Sequence, residues 1–188
     1  MLNSTIVLLT CVLLLFTPLI AIDFSWEFLR FDVNRDWIDT YGEYHLTNCR
    51  ENAPPTKLLF PFAANGALGT PQKIEIFSLD GKSIDWKWVK QDTLLSIACP
   101  QNPCGFCIRY RTPIPKNKFI YILHSTRAWG EPLDSCKIEV RYPISISIAT
   151  NYSADTIITS DSIAVAKFKF KNFMPSQDFI ITISNDGF

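Results

Sequence analysis

The stretch CKIEVRY places Cys136, Ile138, Val140 and Tyr142 on one side of an extended chain and Lys137, Glu139 and Arg141 on the other. Successive side chains of a β-strand point to opposite faces, so such a run hides its apolar residues only as a half-buried strand. The pattern recurs. ISISIAT sets Ile144, Ile146 and Ile148 against Ser145, Ser147 and Ala149, and IDWKWVK lines up Ile84, Trp86 and Trp88. AKFKFKN alternates Phe168 and Phe170 with Lys167, Lys169 and Lys171, and DFIITIS carries Phe179, Ile181 and Ile183 on one side. QKIEIF, FCIRYR and KFIYILHS are further strand-like runs, the last apolar enough for burial on both faces.

Turn signals separate these runs. LDGK holds an Asp-Gly pair, a hairpin signal expected to join QKIEIFSL to SIDWKWV. PIPKNK and GEPLD mark further loops. No stretch of a dozen residues keeps helical spacing; NRDWIDTYG is read as a single helical turn. Short strands with turns between them predict an all-β chain, an antiparallel β-sandwich of general immunoglobulin-like architecture. Residues 23–188 are expected to form one such domain, with a weak seam near Pro143.

The 188 residues carry 18 Lys plus Arg and 18 Asp plus Glu, a formal net charge of zero. No basic field is available to draw nucleic acid to the chain. Aromatic content of 13% supplies ample core-forming surface and argues against disorder.

Residues 1–22, MLNSTIVLLTCVLLLFTPLIAI, contain no charged side chain. This is the pattern of a signal peptide, with cleavage expected after Ala21. Leu19 stands where a small residue is preferred, and the n-region lacks Lys and Arg, so an uncleaved anchor is the alternative. Either way the remainder is expected outside the cytoplasm, and membrane contact is expected only if residues 1–22 stay attached.

Cys49, Cys99, Cys104, Cys107 and Cys136 follow the signal segment. An oxidising compartment favours disulfides, and five cysteines leave one thiol over. The expectation is two bridges. One lies within the trio Cys99, Cys104 and Cys107, stapling CPQNPCGFC as a hairpin loop. The other joins Cys49 or Cys136 to the remaining loop cysteine, or those two to each other. The alternative is metal or redox chemistry. Cys99, Cys104 and Cys107 have the C-x4-C-x2-C spacing of plant-type iron–sulfur proteins, with Cys136 further on. Zinc on these thiols with Cys49, His45 or His124 has suitable donors. CGFC also matches the C-x-x-C redox motif, but that chemistry needs a helix N-terminus, and Cys107 leads into a strand. No cofactor is expected.

Three stretches together, YGEYHLTNCRENAPPTKLLFPF, YILHSTRAWGEPLDSCKIEVRYP and FKFKNFMPSQDFIITIS, resemble exported bacterial β-sandwich domains of unknown function. The resemblance spans much of residues 41–184 by loose pattern. It implies the same fold and brings no catalytic residue.

Enzymatic features are absent from the sequence. His45 and His124 lie in separate strand-like runs, no G-x-S-x-G elbow or glycine-rich phosphate loop occurs, and the acidic residues are scattered. Trp86 and Trp88 are expected to face the core, whereas Trp129, in a loop with Gly130, Glu131 and Pro132, is the candidate binding residue. Asn151 heads the sequon Asn-Tyr-Ser, a glycosylation site in a eukaryotic source. Lys167, Lys169 and Lys171 read as a solvated strand face guarding an edge. The functional expectation is an exported, non-enzymatic module that binds an unidentified protein or envelope component.

Overall fold

The structure is a computed structural model that describes residues 23–64 and 68–184. Residues 1–22, the expected signal segment with Cys11, lie outside the described residues. The strands are β1 (Asp23–Val33), β2 (Trp37–Thr47), β3 (Thr56–Pro61), β4 (Gln72–Ser78), β5 (Trp86–Lys90), β6 (Leu94–Cys99) and β7 (Gly105–Pro113). They continue with β8 (Lys118–Tyr121), β9 (Leu133–Pro143), β10 (Ser147–Thr150), β11 (Thr156–Thr159), β12 (Ile163–Phe173) and β13 (Phe179–Ser184). A 3-10 helix, His124–Trp129, is interposed between β8 and β9.

A seven-stranded sheet in the order β11-β12-β9-β1-β2-β7-β4 faces two three-stranded sheets, β10-β13-β8 and β3-β6-β5. Aromatic rings fill the space between. Phe31 of β1 meets Phe119 and Tyr121 of β8 and Phe179 of β13 at centroid distances of 5.4, 5.5 and 5.7 Å. Phe60 of β3 meets Tyr44 at 5.7 Å, and Phe62 meets Tyr110 at 5.0 Å. The all-β sandwich expected from the alternation is therefore present.

Several local expectations are corrected. The sheets are not wholly antiparallel: β1 and β9 run parallel, Trp26 opposite Ser135 through Asp32 opposite Arg141. Parallel neighbours need a long crossover, and the many strands between β1 and β9 provide one. NRDWIDTYG is no helical turn. It contributes the start of β2, which pairs with β1 from Val33 opposite Ile38 onward. Its inner face holds Ile38, Thr40, Gly42, Tyr44 and Leu46 in strict alternation. The Asp80-Gly81 turn forms, with Gly81 at φ 84°, but the pairing beyond it is one bridge, Phe77 to Ser83. The chain then crosses to the other sheet as β5. CPQNPCGFC is not a hairpin loop either, because β6 and β7 belong to different layers. KFIYILHS divides: β8 ends at Tyr121, and His124 begins the 3-10 helix.

The outer face of the large sheet is an ion ladder. Arg111 grips Asp39 with two hydrogen bonds of 2.6 and 2.7 Å and lies over the Trp37 ring. Glu139 takes both Arg141, at 2.7 Å, and Lys167, at 3.4 Å. Lys167, Lys169 and Lys171 line β12, which is one strand in from the edge. β11, the edge itself, covers only Ala164–Lys167 and exposes residues on both its faces, Ile157 at 60% and Ile158 at 51%.

Candidate functional site

The phase of β1 places Glu27, Leu29, Phe31 and Val33 on the inner face, all buried. Three of these are apolar and the fourth is a carboxylate. Register then builds a row across five strands. Phe106 of β7 stands opposite Tyr44 of β2, Tyr44 opposite Glu27 of β1, Glu27 opposite Cys136 of β9, and Cys136 opposite Phe170 of β12. Glu27 occupies the centre of this row with 2% of its surface exposed.

Above the row is a cleft of about 50 Å³, lined among others by Phe24, Glu27, Tyr44, Phe60, Tyr121 and Trp129. A water-sized group needs about 10–15 Å³, so the space suits a few such groups or one small organic head. Each wall has a local cause. A register shift between Phe24 and Trp26 breaks the alternation of β1, so that Phe24 rather than Ser25 reaches Tyr44 and Trp129, at 5.7 and 5.8 Å. Tyr44 lies along β2 over Gly42, where any Cβ would meet its ring. Trp129 closes the 3-10 helix, which Gly130 ends in the left-handed conformation at φ 85°.

Apart from the Glu27 carboxyl, the polar groups here are few and uncharged. The Cys136 thiol donates to Glu27 Oε1 at 3.2 Å, and the Tyr44 and Tyr121 hydroxyls bond each other. Burial raises the Glu27 carboxyl from its ordinary 4.5 to about 7, against a smaller opposing effect of the Cys136 bond. Burial pushes the Cys136 thiol and the Tyr44 and Tyr121 hydroxyls well above their usual ranges, and the Glu27 charge adds to each. The cleft thus holds one carboxyl that changes charge near neutrality among groups that do not.

The cysteines part company. Cys49, beyond β2, is bonded to Cys104, just before β7, while Cys99, Cys107 and Cys136 are free and buried. One bridge rather than two is present among the described residues: the expected kind of link from Cys49 to a loop cysteine is there, and the one expected within the trio is not. The reason is register: β2 and β7 are neighbours, so the segments at their ends meet, whereas the three free thiols face different surroundings. Cys107 lies by the Tyr41 hydroxyl at 3.4 Å, on the opposite side of the sheet from Phe106 and Cys136. Cys99 ends β6 in the other layer. Burial raises the thiols of Cys99, to about 11, and Cys107, the wrong direction for a reactive thiolate. Among the described residues no three His, Cys, Asp or Glu gather as a metal set.

His45 stacks on Trp26 at 3.8 Å and bonds Glu43 at 2.7 Å, while His124 bonds Arg127; the two do not meet. Trp88 packs half-buried on Phe62, but Trp86 is 36% exposed and does not face the core. It borders an open groove of about 320 Å³ with Lys57, Asp85 and Lys87, whose buried polar residue is the uncharged Ser96. Asn151 is exposed, yet its Nδ2, the glycan attachment atom, donates to the Asp178 carbonyl at 2.8 Å, and its Oδ1 accepts from Ile180 N–H. Of the sequence candidates only Trp129 reaches the cleft, and Cys136 supports it from below. Glu27, Tyr44, Phe60 and Tyr121 are not among the sequence candidates, although the spacing of Leu29, Phe31 and Val33 marks Glu27 as an inward-facing acid.

No protein-family model and no curated protein matches this chain. Its fold is similar to part of the M1 zinc metallopeptidase from Deinococcus radiodurans, at 11% identity and a TM-score of 0.51. A mutant of that peptidase bound to a Tyr-Ser-Ala substrate gives 12% identity and a TM-score of 0.52. In both cases the match covers 86% of this chain and 42% of the peptidase chain, so the chain spans well under half of those proteins.

Proposed function

We propose that this chain is an exported, non-enzymatic β-sandwich module that binds a small group, free or carried by a partner, in the cleft under Trp129. One observation carries the reading: a buried carboxyl on the floor of an aromatic-walled cleft. A charge in such a place costs several kcal/mol unless something compensates it, and compensated carboxyls of this kind concentrate at functional sites. Two features support export. Residues 1–22 have the pattern of a signal peptide. The Cys49–Cys104 disulfide is of a kind that persists in oxidising compartments. The described residues include no helix long and apolar enough to cross a membrane.

A second reading draws on the fold similarity. The chain would be the companion domain of a metallopeptidase unit, shaping that unit's surroundings rather than cutting peptide bonds. It would bring no zinc site of the His-Glu-x-x-His kind, since its two histidines stand at positions 45 and 124.

The test of the cleft is Trp129→Ala, with ethanol as a neutral probe and the Trp129 indole N–H as the reporter in the native protein. The native indole signal is expected to shift saturably, and the variant to lose the saturable shifts of the other cleft residues. Trp129 is only half-buried, so the variant should lose about 1–2 kcal/mol of stability, below the ~3–5 of a fully buried aromatic. A loss in the larger range would make Trp129 a core plug, and an indole that responds neither to ethanol nor to a small cation of the same size would remove the cleft as a binding site.

A further inference from the structure

The geometry points to a small alkylammonium group as the ligand of this cleft, held by the Glu27 carboxylate and enclosed by the rings of Phe24, Tyr44, Phe60 and Trp129. The inference rests on the binding reading above and gives it a chemical class. Four observations converge. Glu27 is buried yet lines the cleft, so its carboxylate is presented to whatever enters. The groups facing it are Tyr44 from β2, Cys136 from β9 and Tyr121 from β8, with Ser125 and Thr126 of the 3-10 helix at the rim. None of these is a cation. Six of the thirteen lining residues are aromatic, and ring faces attract ammonium groups as well as apolar ones. Finally, the space of about 50 Å³ fits a short alkyl chain with a charged head and excludes anything the size of an indole.

A neutral guest would leave the carboxylate uncompensated. An anion would be repelled by it. An ammonium group donates charge-assisted hydrogen bonds, and a carboxylate is the strongest acceptor for them that the cleft offers. Its alkyl stem then rests against Phe24 and Trp129. Ligand and proton compete for Glu27, because the carboxyl must be ionised to receive the cation. With Glu27 titrating at about 7, roughly ten elevenths of the protein is ionised at about pH 8 and one eleventh at about pH 6. Apparent affinity is therefore expected to fall about tenfold between those conditions.

The experiment is an NMR titration of the native protein with ethylammonium chloride, with ethanol as the neutral analogue and sodium chloride as the salt control. The Trp129 indole N–H, assigned through Trp129→Phe, is the reporter. Saturable shifts at about pH 8 that weaken about tenfold at about pH 6 support the site, as does a loss of at least tenfold in Glu27→Gln. Gln keeps the shape and still accepts the Cys136 thiol, and circular dichroism verifies that the variant is folded. Equal binding of ethylammonium by Glu27→Gln, or shifts matched by sodium chloride, overturns the inference. If ethanol saturates the indole signal and ethylammonium does not, the cation assignment falls while the cleft reading stands. If neither moves it, both fall.

Discussion

Replacing Glu27 with Gln should change how stability depends on pH, with a magnitude set by the buried carboxyl. Below pH 4.5, its ordinary value, Glu27 is protonated folded or unfolded and contributes nothing to the pH dependence. Between 4.5 and about 7 the native state keeps a proton that the unfolded chain has released, so stability falls as pH rises. Above about 7 both states are ionised and the loss is complete. At about 1.36 kcal/mol per pH unit, the full cost is about 3 kcal/mol. Gln carries no charge and should abolish this slope. Urea unfolding of both proteins at about pH 5 and pH 8 measures it. The variant should gain about 2.5 kcal/mol relative to the native chain on going to the higher pH, or about 5–10 °C in thermal midpoint for a chain of this size. The thiol of Cys136 and the hydroxyls of Tyr44 and Tyr121 titrate well above this window and do not contribute. Parallel pH profiles in the two proteins would show that Glu27 is solvated in the native state, and the cleft argument would lose its floor.

Two further predictions concern the cysteines. The Cys49–Cys104 bridge closes a sequence separation of 55 residues, so the double variant Cys49→Ala/Cys104→Ala should lose about 4 kcal/mol by chain entropy, read from chemical unfolding without reductant. Alkylation without reductant should label none of Cys99, Cys107 and Cys136 in the folded protein and all three once it is denatured; a fourth label, on Cys11, together with an intact Met1 by mass, would mean that residues 1–22 are retained.

The strands most legible in the sequence were those whose inner face is uniformly apolar. In β9, Ile138 and Val140 alternate with charged residues, and the structure buries these two and pairs Glu139 with Arg141 in the ion ladder. β2 was opaque for the opposite reason. Its inner face holds Thr40 and Gly42, which look like turn residues until the flanking sheet supplies neighbours for them. Pairings between distant segments were also out of reach. The parallel contact of β1 with β9 and the meeting of Cys49 with Cys104 depend on strand order, which local alternation does not encode. The cleft was half legible. Trp129 stands out as a loop tryptophan and the phase of β1 marks Glu27, but Phe60, Tyr121 and Phe24 join them only through the layering and one bulge.

The Cys49–Cys104 bond also sets how the molecule would respond to tension. A pull applied to the two ends of the chain travels along β1 and β2, crosses from sulfur to sulfur, and leaves through β7 and the strands after it. Residues 50–103, which contain β3, β4, β5 and β6, form a closed ring beside that path and carry none of the load. While the bond is intact, stretching the chain would hold back the length of 55 residues, about 190 Å at 3.3–3.6 Å each. Reduction would release it. One covalent link thus decides whether the sheet that supplies Phe60 to the cleft can be unravelled from the ends of the chain at all.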